Sequence, residues 1–175
     1  MARLFVALDL PQAVTARLMA HQPRPLSGIR LIPPDQMHLT LHFIGEAEIP
    51  SIADALSAIE YPAFRLTVDG TGQFRTSGGL VLWAGVVGDP QLLGLHAAVG
   101  QLLAGIGMEI DSRPYRPHIT LARCSRQVTR EALTRAASQE PLHIKDITIA
   151  HFALYSSTLG REGPSYRQER RYPLV

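Results

Sequence analysis

Apolar positions along this chain come mostly in short runs bounded by proline, glycine or charge. Leu4-Phe5-Val6-Ala7-Leu8 and Leu80-Val81-Leu82-Trp83-Ala84-Gly85-Val86-Val87 are the clearest. Runs of that length, rich in Val, Leu and aromatics, read as strands. The pattern predicts strands at 3–8, 37–44 (ended by Gly45), 64–69, 80–87 and 108–112, one beginning at His118, a long one at 143–156 and a last one at 167–172. A helix is expected to start near Pro11, a residue suited to the first helical turn, and another to run from Pro50-Ser51 to about Ile59. From Pro90 to Ala104, Leu92, Leu93, Leu95, Val99, Leu102 and Leu103 fall near helical spacing. A fourth helix is expected at 128–138. Gly70, Gly72, Gly78 and Gly79 mark the connection from Asp69 to Gly79 as turns, and Pro33-Pro34-Asp35, Pro114 and Pro117 mark loops.

The order of these elements repeats. Pro11-Gln12 and Pro90-Gln91 each follow an apolar run, 79 positions apart. Glu60-Tyr61-Pro62 and Glu140-Pro141 each precede a strand, again about 80 positions apart. His38-Leu39-Thr40-Leu41 and His118-Ile119-Thr120-Leu121 are separated by 80. Each half reads strand, helix, His-x-Thr strand, helix, strand. Such self-similarity fixes architecture, and two copies suit two similar lobes facing one another. The expected fold is α+β, with two pseudo-symmetric lobes of mainly antiparallel sheet flanked by helices and a cleft between them. Residues 1–175 are expected to form a single bilobal domain, since no long linker divides them.

Chemistry enters through the repeated tetrapeptide. On a strand alternate side chains share a face, so each His stands beside its Thr, Cα atoms roughly 7 Å apart, with the aliphatics buried behind. Seven histidines and ten threonines in 175 residues lead to 7 × 10/175, about 0.4, His-x-Thr by chance. Two copies, each followed by Leu, point to a two-histidine site. Imidazole titrates near neutrality, so one His can accept a proton while its partner donates one. In-line cleavage of a phosphodiester needs both acts, on opposite sides of phosphorus. The threonine hydroxyls can hold the non-bridging oxygens.

Composition adds limits. With 46% hydrophobic and 18% charged residues, the chain has the make-up of a globular protein. Asp9 interrupts the first apolar run, so neither a signal peptide nor a membrane span is expected there. Cys124 is the one cysteine, which leaves no internal disulfide or multi-Cys zinc site and makes a reducing cytoplasm the expected compartment. Net charge is only +2, yet Lys145 is the sole lysine among 17 basic residues. Arg113, Arg116, Arg123, Arg126 and Arg130 surround the second His-x-Thr, and Arg161, Arg167, Arg170 and Arg171 crowd the C-terminal tail. Guanidinium forks match phosphate oxygens, so a basic rim suits a phosphate-bearing substrate such as a nucleic-acid end.

Several segments together resemble the two-histidine (2H) phosphoesterases, and within them the RNA 2′,3′-cyclic phosphodiesterases, or 2′-5′ RNA ligase-like proteins. They are Arg3 to Ala7 with Pro11, His38 to Gly45, Leu82 to Val86, Arg116 to Arg123, Leu154 to Ser157, and Gly163 to Tyr166. Ile44 and His42 depart mildly from the family pattern. The resemblance implies His38 as proton donor, His118 as proton acceptor, and Thr40, Thr120 and Arg123 as substrate ligands. It implies opening of a 2′,3′-cyclic phosphate at an RNA end, or on a small cyclic nucleotide, to a 2′-phosphomonoester. No metal or cofactor is expected, no membrane partner, and a monomeric state. Alternatives at the same residues are 2′-5′ ligation, cleavage of linear 2′-5′ bonds, or non-catalytic binding of RNA ends.

Individual residues carry further expectations. Strict alternation puts Arg123 opposite His118 and Thr120, so only a bulge or a strand end would bring it to the phosphate. The same count puts Cys124 on the His118 face, although a lone cysteine is usually a buried hydrophobe. His42 shares the His38 face and reads as a strand-end surface residue. Tyr115, Phe43 or Trp83 could stack on a base, with core packing favoured for Phe43 and Trp83. A zinc site of His38, His42 and His118 is disfavoured by the roughly 13 Å between His38 and His42 on a strand. His21, His96, His143 and His151 belong to no motif and read as structural.

Overall fold

The structure is a computed structural model describing residues 1–175. Nine strands form one antiparallel sheet. They are β1 (Ala2–Asp9), β2 (Ile29–Leu31), β3 (His38–Ala47), β4 (Phe64–Thr76), β5 (Gly79–Val86), β6 (His118–Cys124), β7 (His143–Ile149), β8 (His151–Gly160) and β9 (Gly163–Pro173). Four helices, α1 (Gln12–Met19), α2 (Ile49–Leu56), α3 (Pro90–Gly105) and α4 (Arg130–Ala136), cover the face to which Leu39, Leu82, Ala84 and Ile119 point. On that face 38 buried residues make a continuous core, including Leu18 of α1, Ile52 of α2, Leu95 and Val99 of α3 and Leu133 of α4. Asp89 caps α3, its carboxylate accepting from the Leu92 N–H at 2.9 Å, and Pro90 supplies the first helical position.

Strand order is β7-β4-β5-β6-β3-β1-β8-β9, with β2 paired to β6. The two halves of the sheet, β7-β4-β5-β6 and β3-β1-β8-β9, meet at a single residue pair, Leu39 with Ile119. That pair joins the centres of the two His-x-Thr segments. β4 of the first chain half and β8 of the second each lie in the other half of the sheet, next to β5 and β1 respectively.

Besides shifts of a few residues at element ends, among them β3 running through Gly45 to Ala47, four features differ from the sequence expectation, each for a physical reason. The run at 143–156 is two strands, not one: at Ala150 the chain leaves β4's edge and joins β1 in the other half. One intervening residue can do this only because the sheet is curled, bringing those regions close. The supposed turn region 69–79 is strand except for Ser77-Gly78 at the hairpin tip. There, Gly70 (φ 73°) sits in a bulge where β4 carries one extra residue. A Cβ on Gly72 would lie only 2.3 Å from the Trp83 ring, so this glycine makes room for an indole. Residues 106–117, expected to include a strand, have no regular structure. Finally, β2 was not expected; three residues held by β6 alone give too weak a periodic signal.

Candidate active site

Antiparallel register at Leu39–Ile119 puts His38 beside Thr120 and Thr40 beside His118. The two histidine Cα atoms are then diagonal neighbours, roughly 8 Å apart. Both imidazoles are anchored alike. His38 Nδ1 lies 2.7 Å from the Gln36 carbonyl and His118 Nδ1 2.8 Å from the Arg116 carbonyl, each two residues back in the chain. A carbonyl can only accept, so each Nδ1 carries the hydrogen and each Nε2 is left for the cleft.

Each motif then carries the same irregularity. Opposite β1, Thr40 pairs with Ala7 and His42 with Val6, leaving Leu41 as an extra residue. Opposite β5, Thr120 pairs with Trp83 and Ala122 with Leu82, leaving Leu121 extra. A bulge reverses the faces beyond it. Arg123 therefore shares the face of His118 and Thr120, and its positive charge is felt at His38. Cys124 turns into the core instead of lying on the His118 face. His42, expected at the surface on the His38 face, is only 5% exposed and on the opposite face. That orientation takes it out of any ligand set with His38. Phe43, expected to pack in the core, is 71% exposed on the cleft face, at the position in β3 equivalent to Arg123 in β6.

Aromatic rings line the walls unequally. His38 lies 5.1 Å from Phe5, 5.3 Å from Tyr166 and 6.4 Å from Tyr155, centroid to centroid. His118 faces Phe74 at 5.4 Å and Trp83 at 6.3 Å. Burial lowers the His38 pKa first and most; Arg123 and His118 lower it further, while the Gln36 carbonyl pulls the other way. Asp9, cross-strand from His38, approaches His151 Nε2 at 2.5 Å and Arg171 at 3.4 Å, so both side chains gather at its carboxylate on the cleft face. None of Phe5, Asp9, Tyr155 and Tyr166 was singled out as a site residue. Their contribution depends on β1, β8 and β9 lying side by side, which no local pattern reveals.

Behind β3, His42 Nε2 donates to the His96 carbonyl at 2.7 Å, and the His42, His96 and Tyr115 rings stack at 4.1 Å and 3.8 Å. Tyr115 is thus occupied, its hydroxyl donating to the Thr40 carbonyl at 2.7 Å. Much of the arginine-rich rim is also committed: Arg113 to Asp111, Arg126 to the Ser77 carbonyl, Arg167 to Glu169, Arg170 to Asp54 and Arg171 to Asp9. Arg123 has no carboxylate partner.

A curled antiparallel sheet with helices behind it and two facing His-x-Thr strands in front defines the two-histidine phosphoesterase class. Residues 10–161 match the family described as the 2′-5′ RNA ligase superfamily, and the chain belongs to it. A relative named RNA 2′,3′-cyclic phosphodiesterase from Thermus thermophilus is 35% identical over 98% of this chain and 90% of its own length. One of the same name from Escherichia coli is 32% identical over 99% of this chain and 97% of its own. Among solved structures, E. coli LigT complexed with 3′-AMP superposes with a TM-score of 0.79 at 30% identity, covering 99% of this chain and 98% of that one. No helix is long and apolar enough to cross a membrane.

Proposed function

We propose that this protein hydrolyses RNA 2′,3′-cyclic phosphodiester ends to 2′-phosphomonoesters, using His38 and His118 as a general acid–base pair. The observation that carries this reading is the mirrored anchoring of the two imidazoles about the Leu39–Ile119 pair, with both Nε2 atoms free. The names borne by the relatives support the substrate.

His118 Nε2 takes a proton from water as the water oxygen bonds to phosphorus. The P–O3′ bond breaks, and Nε2–H of protonated His38 delivers its proton to the departing 3′ oxygen. The 2′-phosphate and a free 3′-hydroxyl remain. Thr40 and Thr120 donate hydrogen bonds to the non-bridging oxygens, and Arg123 offsets their charge. General acid and general base help are each worth about 10²–10⁴-fold. Phe43, exposed on the cleft face, offers a stacking surface to the terminal base. With a 5′-hydroxyl in place of water, the same displacement forms a 2′-5′ bond, in keeping with the description of the family.

We further take the chain to be one bilobal domain built from an 80-residue repeat, active as a monomer in the cytoplasm. The exchanged positions of β4 and β8 support the single domain, since each lies in the half of the sheet built mainly from the other half of the chain.

Phosphorus NMR of nucleoside 2′,3′-cyclic phosphates in EDTA tests the activity. Expected is conversion to the 2′-monophosphate alone, and a fall of about 10²–10⁴ in turnover for His38→Ala and for His118→Ala at unchanged circular dichroism. A 3′-monophosphate product, or near-wild-type rates in either variant, would refute the assignment.

A further inference from the structure

Arg123 does not stand alone. Arg30 of β2 is its direct cross-strand partner in β6, and paired residues share a face, so both point to the side of His118 and Thr120. Like charges directly opposite each other destabilise a sheet. Neither arginine has a carboxylate or a carbonyl to relieve this, although five other arginines of the rim and tail are satisfied. The two arginines, one half-buried and one exposed, both border an open depression of about 410 Å³ lined also by Gly28, Ile29, Cys124 and Ser125.

The position of the pair along the cleft is also defined. A Cβ on Gly163 would lie 2.8 Å from Arg30 Nη1, so the guanidinium packs under the β8–β9 hairpin. Three residues further along β9, Tyr166 lies edge-on to His38. Gln36, whose carbonyl anchors His38, donates from its side chain to the Pro164 carbonyl between them at 3.1 Å. Three strand residues span roughly 10 Å. Arg30 therefore lies beside the start of β9, three residues along the strand from the Tyr166 that meets His38, while its cross-strand partner Arg123 lies on the His118 strand.

We propose that Arg30 and Arg123 form a second anion site that takes the internucleotide phosphate next to the terminal cyclic phosphate, so that an RNA end is preferred over a cyclic mononucleotide. The proposal rests on the function assigned above. Arg123 serves both phosphates, whereas Arg30 serves only the upstream one. The unrelieved repulsion of the empty pair becomes attraction when a phosphodiester oxygen lies between the two forks.

The test compares a nucleoside 2′,3′-cyclic phosphate with the dinucleotide bearing the same cyclic end. For the wild type, kcat/KM is expected to be about tenfold higher for the dinucleotide. Its logarithm should fall more steeply with log salt, by about 0.7 for the one added phosphate contact. Arg30→Gln should lose the tenfold preference while hydrolysing the mononucleotide within twofold of wild type, and Arg30→Lys should keep part of it. Equal wild-type salt slopes, a preference that survives in Arg30→Gln, or an equal loss on both substrates at unchanged Tm would overturn the site. Should Arg30→Gln fail to fold, the wild-type salt slopes decide. A wild type inert towards both substrates would sink the assigned function, and the second site with it; mononucleotide turnover without a dinucleotide preference would sink the second site alone.

Discussion

The stacked rings behind β3 make stability depend on pH in a calculable way. Burial, and then the neighbouring His42, push the His96 pKa down to about 4. Burial likewise lowers that of His42, against the opposing pull of the His96 carbonyl and Asp111. In the unfolded chain both rings bind protons as pH falls through about 6.5. Folded His96 resists until about 4, so between these limits the unfolded state binds more protons and stability declines as pH falls. At 1.36 kcal/mol per pH unit, a fall from 6.5 to 4 is worth about 3.4 kcal/mol. His96 is only half-buried, and solvent screening reduces its share to about 1–2 kcal/mol. For a chain of this size that is a Tm change of about 3–6 °C. Asp111, held down to about 2 by Arg113, titrates below this window and does not confuse it. The variant to use is His96→Phe, which keeps an aromatic ring between His42 and Tyr115 and the backbone carbonyl that His42 needs. Thermal melts from pH 7.5 to 4.5 should show the wild type losing about 1–2 kcal/mol more than the variant, with His38 contributing equally to both. Parallel stability curves would refute the reasoning.

Two further outcomes follow from the site. Because Arg123 lowers the His38 pKa, Arg123→Gln should move the His38 limb of the kcat/KM pH profile upward, whichever proton role His38 plays; an unmoved limb would mean that Arg123 does not act on His38. Gly72→Ala would drive a Cβ into the Trp83 ring, costing about 1–3 kcal/mol by denaturant unfolding and disturbing the wall beside His118, so full stability would show that this contact is not tight.

The histidine pair and its threonines were legible because a period of two, repeated at 80 residues, is a local signal written twice. Helix α3 was legible for the same kind of reason: Pro90 at its start and apolar residues on one stripe agree with each other. The bulges at Leu41 and Leu121 were not, since an extra strand residue has no signature in side-chain type. Those two residues alone decide where four others point. They turn His42 and Cys124 into the core and bring Phe43 and Arg123 to the cleft. Resemblance had put Arg123 near the phosphate while alternation put it opposite, and the Leu121 bulge removes the conflict. The break at Ala150 was hidden because neither glycine nor proline marks it; the chain stays extended and only its partners change. The aromatic wall around His38 was hidden for a third reason, being drawn from β1, β8 and β9, whose adjacency is a property of the whole sheet.

Two near-identical motifs raise a problem that symmetry cannot solve. A displacement at phosphorus needs one proton taken and another given, but equal imidazoles in equal settings would share both roles. The folded chain breaks the equality through what surrounds the motifs. Phe5, Tyr155 and Tyr166 enclose His38, and the position equivalent to Phe43 beyond the second bulge is Arg123, whose charge reaches back to His38. A histidine so placed binds a proton weakly in the free protein and gives it up readily, which suits the acid role proposed for His38 once it is charged. It must nonetheless be protonated when the reaction starts. The arriving phosphate supplies that condition: its negative charge opposes Arg123 and His118 at the same imidazole and raises the proton affinity that they depress. In the proposed mechanism, substrate binding and charging of His38 are therefore one coupled event, and the difference between two copies of one tetrapeptide comes from their neighbours.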